Sequence, residues 1–170
     1  MKKIKKIIER ILFEPLQGIL AIFLFYFFSC LKPETASWLG GKLALILSPI
    51  VPQNKRALDN IRLIYPKLNK SEQHKILYEA IENLGRNAGE YPHLGNIEKF
   101  ITLKGKENLP DNSDAFIFVA AHLANWELTP YPGLSINRPI MRVYRKLNAP
   151  LAEWILRKKQ SPLPGEVVPK

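Results

Sequence analysis

The side chains best placed to act together are His122 and Glu127, in the run His122-Leu123-Ala124-Asn125-Trp126-Glu127. An imidazole titrates near neutral pH and can take a proton from a hydroxyl. A carboxylate beside it fixes its tautomer and stabilises its cation. The spacing sets a condition. Five steps of a regular helix turn through about 500°, which leaves the two side chains about 140° apart. The pair can meet only across a turn, with Glu127 near the start of the following helix. The alternative is an ordinary histidine at a strand end and an unrelated surface glutamate, because H-x4-E alone is a weak pattern.

The elements that must position this pair can be read from the pattern on either side. Residues 115–121, Ala-Phe-Ile-Phe-Val-Ala-Ala, are a continuous apolar run bounded by turn signals, and they predict a buried parallel strand. His122 then sits at a strand's carboxyl end, where open α/β sheets gather their ligands. Residues 139–144 predict another strand, and 101–104 a short one ending in a turn at Gly105. Helices are predicted over 54–65, stopped by Pro66, and from Asn69 or Ser71 as N-cap to Pro92. Gly85 and Gly89 share a face of the second helix, which suits close helix approach. A further helix starts near Asn148 and Pro150 and runs to about Lys159. It ends in Arg157, Lys158 and Lys159, which suit an acidic partner or simply the helix dipole. His74 and His93 lack ligand spacing and are read as structural.

The first 52 residues differ in kind. A basic stretch with Lys2, Lys3, Lys5, Lys6 and Arg10 precedes an uncharged apolar run over 18–31, and a weaker apolar segment comes after it over 36–52. No small-x-small site stands after the first run, which argues against a cleaved signal peptide. Fourteen helical residues reach about 21 Å, short of a hydrocarbon core of about 30 Å. Two short apolar segments between basic flanks fit a dipping hairpin or surface-embedded helices. A tilted single span and core helices are the alternatives.

Composition narrows the function class. With 46% hydrophobic residues in 170, the chain has the means to build a core, which excludes a disordered chain. The single cysteine, Cys30, excludes an internal disulfide framework and an all-cysteine metal site. A net charge of +10 suits a phosphate- or carboxylate-bearing partner. Nucleic acid is not expected, since no recognition motif accompanies the charge. No metal and no cofactor is called for.

His-Leu-Ala-Asn-Trp-Glu after an apolar strand resembles the lipid A biosynthesis (lauroyl/myristoyl) acyltransferase family, within the lysophospholipid acyltransferase superfamily and its H-x4-D/E signature. Three further stretches resemble it: Asn-Ile-Arg-Leu-Ile-Tyr-Pro at 60–66, Asn-Leu-Gly-Arg-Asn-Ala-Gly-Glu-Tyr-Pro-His-Leu at 83–94, and Val-Tyr-Arg-Lys-Leu-Asn-Ala-Pro-Leu at 143–151. The resemblance implies acyl transfer from an acyl carrier protein thioester to a hydroxyl of a lipid A precursor, at the cytoplasmic face of the inner membrane and among its lipids. It implies His122 and Glu127 as the catalytic pair. Arg145 matches a family arginine and would bind a lipid or carrier phosphate; a solvated charge at a strand end is its alternative. Arg142 is the weaker candidate, since strand alternation turns it to the opposite face. Asn125 and Trp126 would shape the loop and the acceptor groove, with core packing as the alternative for Trp126.

The fold class expected is α/β, with N-terminal membrane-associated helices followed by a partial acyltransferase-type α/β domain. The organisation expected is a basic, membrane-anchoring part over 1–52, the partial domain over 53–160, and an extended tail over 161–170 that does not look like the family. The resemblance implies a longer protein, so a C-terminal truncation is expected. A lysophospholipid acyltransferase and a non-catalytic membrane-bound remnant are the competing readings.

Overall fold

A computed structural model of the chain describes residues 14–109, 115–121, 123–136, 138–144, 150–151, 153–154, 157 and 166–169. The chain divides into two units, one of Phe28–Tyr91 and the other of Met1–Phe27 with Pro92–Lys170.

The unit Phe28–Tyr91 is built from helices α2 (Pro33–Leu47), α3 (Gln53–Ile64) and α4 (Lys70–Glu90). Pro33 at the first position of α2 supplies a preset φ where no N–H is needed. The start of α4 is a capping box. Asn69 Oδ1 accepts the Glu72 N–H at 3.0 Å, and Glu72 Oε2 accepts the Asn69 N–H at 2.8 Å. Two otherwise orphaned donors are thereby satisfied. Gln73, one residue further on and buried, donates to Leu68 O at 3.0 Å and Tyr65 O at 3.3 Å, pinning the connection from α3.

α4 packs chiefly on α2, and the contact is made of backbone. A β-carbon on Gly85 would overlap Gly40 O and the Ala44 β-carbon; one on Gly89 would overlap Ala36 O. Gly41 in turn lies against Glu82 and Arg86. The shared face of Gly85 and Gly89 therefore does bring two helices into close approach. Ser37 Oγ donates to Glu90 Oε1 at 2.7 Å at one end of this seam. Toward the other end, Glu82 Oε1 accepts from Lys42 Nζ at 3.1 Å and from Arg86 at 3.0 Å. Lys42 first, then Arg86, hold the Glu82 carboxyl below the usual carboxylate range.

In the other unit, α1 (Glu14–Ser29) contributes its residues up to Phe27. Gly18 seats Leu151 so closely that a β-carbon there would lie 2.6 Å from the Leu151 β-carbon. Around the helix from this contact, Leu16, Ile19, Leu20, Phe23, Tyr26 and Phe27 form an exposed stripe at helical spacing. Strands β1 (Met141–Tyr144) and β2 (Glu166–Pro169) pair in parallel, with Met141 opposite Glu166 and Tyr144 opposite Pro169. The parallel pairing needs a crossover, and described residues 150–151, 153–154 and 157 within it are helical.

Two expectations are corrected. The described chain is about 70% helical, so it is not α/β. Its β structure among the described residues is the single four-residue pair β1–β2. Residues 115–121 and 101–104 carry no ladder. An apolar run becomes a buried strand only when flanking strands take up its N–H and C=O groups, and that partner is non-local. Residues 115–121 instead run unpaired with Ile117 88% and Val119 92% exposed. The second correction concerns the N-terminal helices. No helix among the described residues is long and apolar enough to cross a membrane. α1 has 16 residues, about 24 Å of rise, and α2 is interrupted by polar and glycine positions that pack against α4.

Candidate active site

The segment leading to the H-x4-E loop is anchored by alternate side chains. Phe116 and Phe118 turn inward, their rings edge to face at 4.9 Å, while Ile117 and Val119 face water. Phe118 and Ile140 close over Gly133, in the short helix α5 (Tyr131–Leu134), where a β-carbon would overlap Ile140 Cδ1. The Arg138 guanidinium lies 5.9 Å from the centre of the Phe116 ring, a cation–π contact worth about 0.5–1 kcal/mol.

The loop itself bends at Ala124, whose φ is +47°. Left-handed backbone costs an alanine about 1 kcal/mol, because its β-carbon crowds the following carbonyl. Immediately after it, Asn125 is the N-cap of a 3-10 helix, Trp126–Leu128. Its Oδ1 accepts the Glu127 N–H at 3.2 Å. The turn is closed by Leu128 N–H to Asn125 O at 3.2 Å and Thr129 N–H to Trp126 O at 3.1 Å. The Thr129 hydroxyl donates to Trp126 O at 2.6 Å. Glu127 is half-buried in the first turn of this helix. Asn125 and Trp126 are also half-buried, so neither is sealed in a core.

Of the five site residues read from the sequence, Asn125, Trp126 and Glu127 are brought together in this one turn. His122 and Arg145 lie outside the described residues. Arg142 is half-buried while its strand neighbours Met141 and Val143 are 66% and 70% exposed, so alternation along β1 does separate it from them. Arg157 is tied to the buried Glu153, Nε to Oε1 at 3.0 Å. That i,i+4 pairing is a structural use for one of the three cations at that helix end; its signal in the sequence is the Glu-x3-Arg spacing. Ala124 is the position in this loop that sequence reasoning misses, since alanine is not a residue that announces a left-handed turn.

His74 Nδ1 lies 2.7 Å from Lys70 O, one helical turn back, and joins no ligand set. Among the described residues, no group of three or more His, Cys, Asp or Glu side chains is placed to hold a metal ion.

Neither the curated proteins nor the solved structures yield a match. A family model does: that of bacterial lipid A biosynthesis acyltransferases, over residues 8–170. The match takes in the stretch 161–170, expected to stand apart from the family, and with it strand β2. With nearly its whole length matched, H-x4-E loop included, the chain belongs to the bacterial lipid A biosynthesis acyltransferase family.

Proposed function

We infer that the chain transfers a fatty acyl group from an acyl carrier protein thioester to a hydroxyl of a lipid A precursor. The family match over residues 8–170 is the observation that carries this reading. His122 takes the hydroxyl proton as the oxygen attacks the thioester carbonyl. The tetrahedral intermediate collapses, the carbon–sulfur bond breaks, and the imidazolium returns the proton to the departing thiolate. Glu127 orients the imidazole and balances its positive charge. No enzyme nucleophile is required, because an alcohol held in place attacks directly. Arg145 binds a phosphate of the lipid or of the carrier, and Trp126 lines the acceptor groove.

The reaction takes place at the cytoplasmic face of the inner membrane, with α1 lying on the lipid surface rather than through it. Its stripe of Leu16, Ile19, Leu20, Phe23, Tyr26 and Phe27 supports this, since large apolar side chains in contiguous array are seldom left to water. Lys2, Lys3, Lys5, Lys6 and Arg10, next to it in sequence, would add about 1 kcal/mol each from anionic headgroups.

The test is turnover. Purified chain in vesicles containing anionic lipid is given labelled acyl carrier thioester with lipid A precursor or with a lysophospholipid. Acylated lipid A precursor is expected, and His122→Ala should lower its formation by about 10²–10⁴-fold. Product on the lysophospholipid alone, or equal product from the His122→Ala chain, would overturn the reading.

A further inference from the structure

We propose that Asn125, carried on the left-handed Ala124, is the positioning residue for the Glu127 carboxylate; this rests on the reading of Glu127 as the partner of the base. Three observations meet here. The chain bends at φ +47°, at an alanine rather than a glycine. The next side chain accepts the N–H of Glu127 itself, at 3.2 Å. Glu127 then sits in a single 3-10 turn, Trp126–Leu128, too short to hold it by the cooperativity of a regular helix.

A glutamate reaches its target through three side-chain torsions, so its carboxylate is only as well placed as its own Cα. In a long helix the ladder of hydrogen bonds fixes that atom. In this turn Asn125 Oδ1 does so, by engaging the Glu127 amide while leaving the Glu127 carboxylate to its own partner. Ala124 contributes the other constraint. A non-glycine residue has a narrow left-handed well, so the bend has one geometry, where a glycine would have several. Strain at Ala124 and the cap at Asn125 thus act on one coordinate, the direction in which Glu127 leaves the loop.

A positioning role predicts a particular pattern of kinetics. Asn125→Ala should lower kcat by about 10–100-fold, the penalty for a misplaced reacting group, and leave KM for the acyl donor unchanged. Asn125→Asp keeps the acceptor oxygen and should restore most of that loss. In a Glu127→Gln background, Asn125→Ala should cost nothing further, because the group it positions is no longer a carboxylate. Should Asn125→Ala fail to fold, Asn125→Gly forfeits the same acceptor at little cost to a helix cap and is used in its place. Equal losses from Asn125→Ala in the wild-type and Glu127→Gln backgrounds would overturn the proposal. So would Asn125→Asp as slow as Asn125→Ala at an unchanged melting temperature. Wild-type turnover by Glu127→Gln alone would remove the reading of Glu127 itself, an outcome distinct from the other two.

Discussion

The seam between α2 and α4 and the loop over 121–129 solve opposite problems. At the seam, glycines on both helices let backbone touch backbone with the Lys42–Glu82–Arg86 cluster beside them, while a capping box and the buried Gln73 secure the start of α4 in the same unit. Each device there lowers the energy of the folded chain. At the loop, an alanine is held in a conformation it disfavours, and apolar Ile117 and Val119 nearby stand in water. On the reading proposed above, that cost aims one carboxylate. Stability gathered in one region and strain tolerated in another is the pattern expected when a scaffold supports a site.

Substitutions at the seam sharpen this contrast if they move stability and leave turnover per folded molecule alone. Gly89→Ala is the sharpest. Alanine gains about 1 kcal/mol of helix propensity over glycine, but its methyl would overlap the Ala36 carbonyl, and overpacking costs about 1–3 kcal/mol. A backbone oxygen cannot swing aside as a side chain can, so the overlap wins. We expect a net loss of up to about 2 kcal/mol of stability, read from urea unfolding. A gain in stability would mean that the helices do not touch there. Asn69→Ala comes next, with about 1 kcal/mol lost as half of the capping box disappears. Its kcat should equal that of the parent; a matching loss of kcat would break the division between the two regions.

Glu82→Gln should have the smallest effect, because both cations beside it are substantially exposed and screened. Its size depends on pH. Glu82 has a lowered pKa in the fold, so its ion pairs stabilise fully above the ordinary value of 4.5 and are lost as pH falls through the lowered one. The parent should therefore melt slightly above Glu82→Gln at neutral pH, with the gap closing as the solution is acidified below about 4.5. A gap that stays constant to acid pH would assign the stability difference to something other than these pairs.

What the sequence makes legible is local. Asn69 and Glu72 stand three apart, and a capping box needs nothing more. Gly85 and Gly89 declare a helix face, although their partners Gly40 and Ala36 do not, since a contact between distant segments leaves no periodic trace. A pairing of His122 with Glu127 would need a turn between them, and among the described residues the chain bends at Ala124 and places Glu127 in the first turn of a helix. The errors are non-local. Residues 115–121 have the composition of a buried strand, yet a strand is defined by neighbours that composition does not reveal. The run over 18–31 has the apolarity of a membrane segment but, as its length already indicates, not the reach of a spanning one, and no described helix is long and apolar enough to cross a membrane. His122 and Arg145, the remaining members of the proposed site, lie outside the described residues and rest on the reading of the sequence.

The contact of Gly40 with Gly85 has a consequence for how the protein can change over evolutionary time. When a bulky core residue grows, its neighbour can shrink in answer, and such paired exchanges let cores drift. Here each partner already presents only hydrogen, and the facing group is peptide backbone, which no codon alters. A mutation at either glycine has no suppressor at the other. Repair would require the two helices to slide as bodies, so the seam is a place where the lineage can stand still or lose the contact, with no intermediate path.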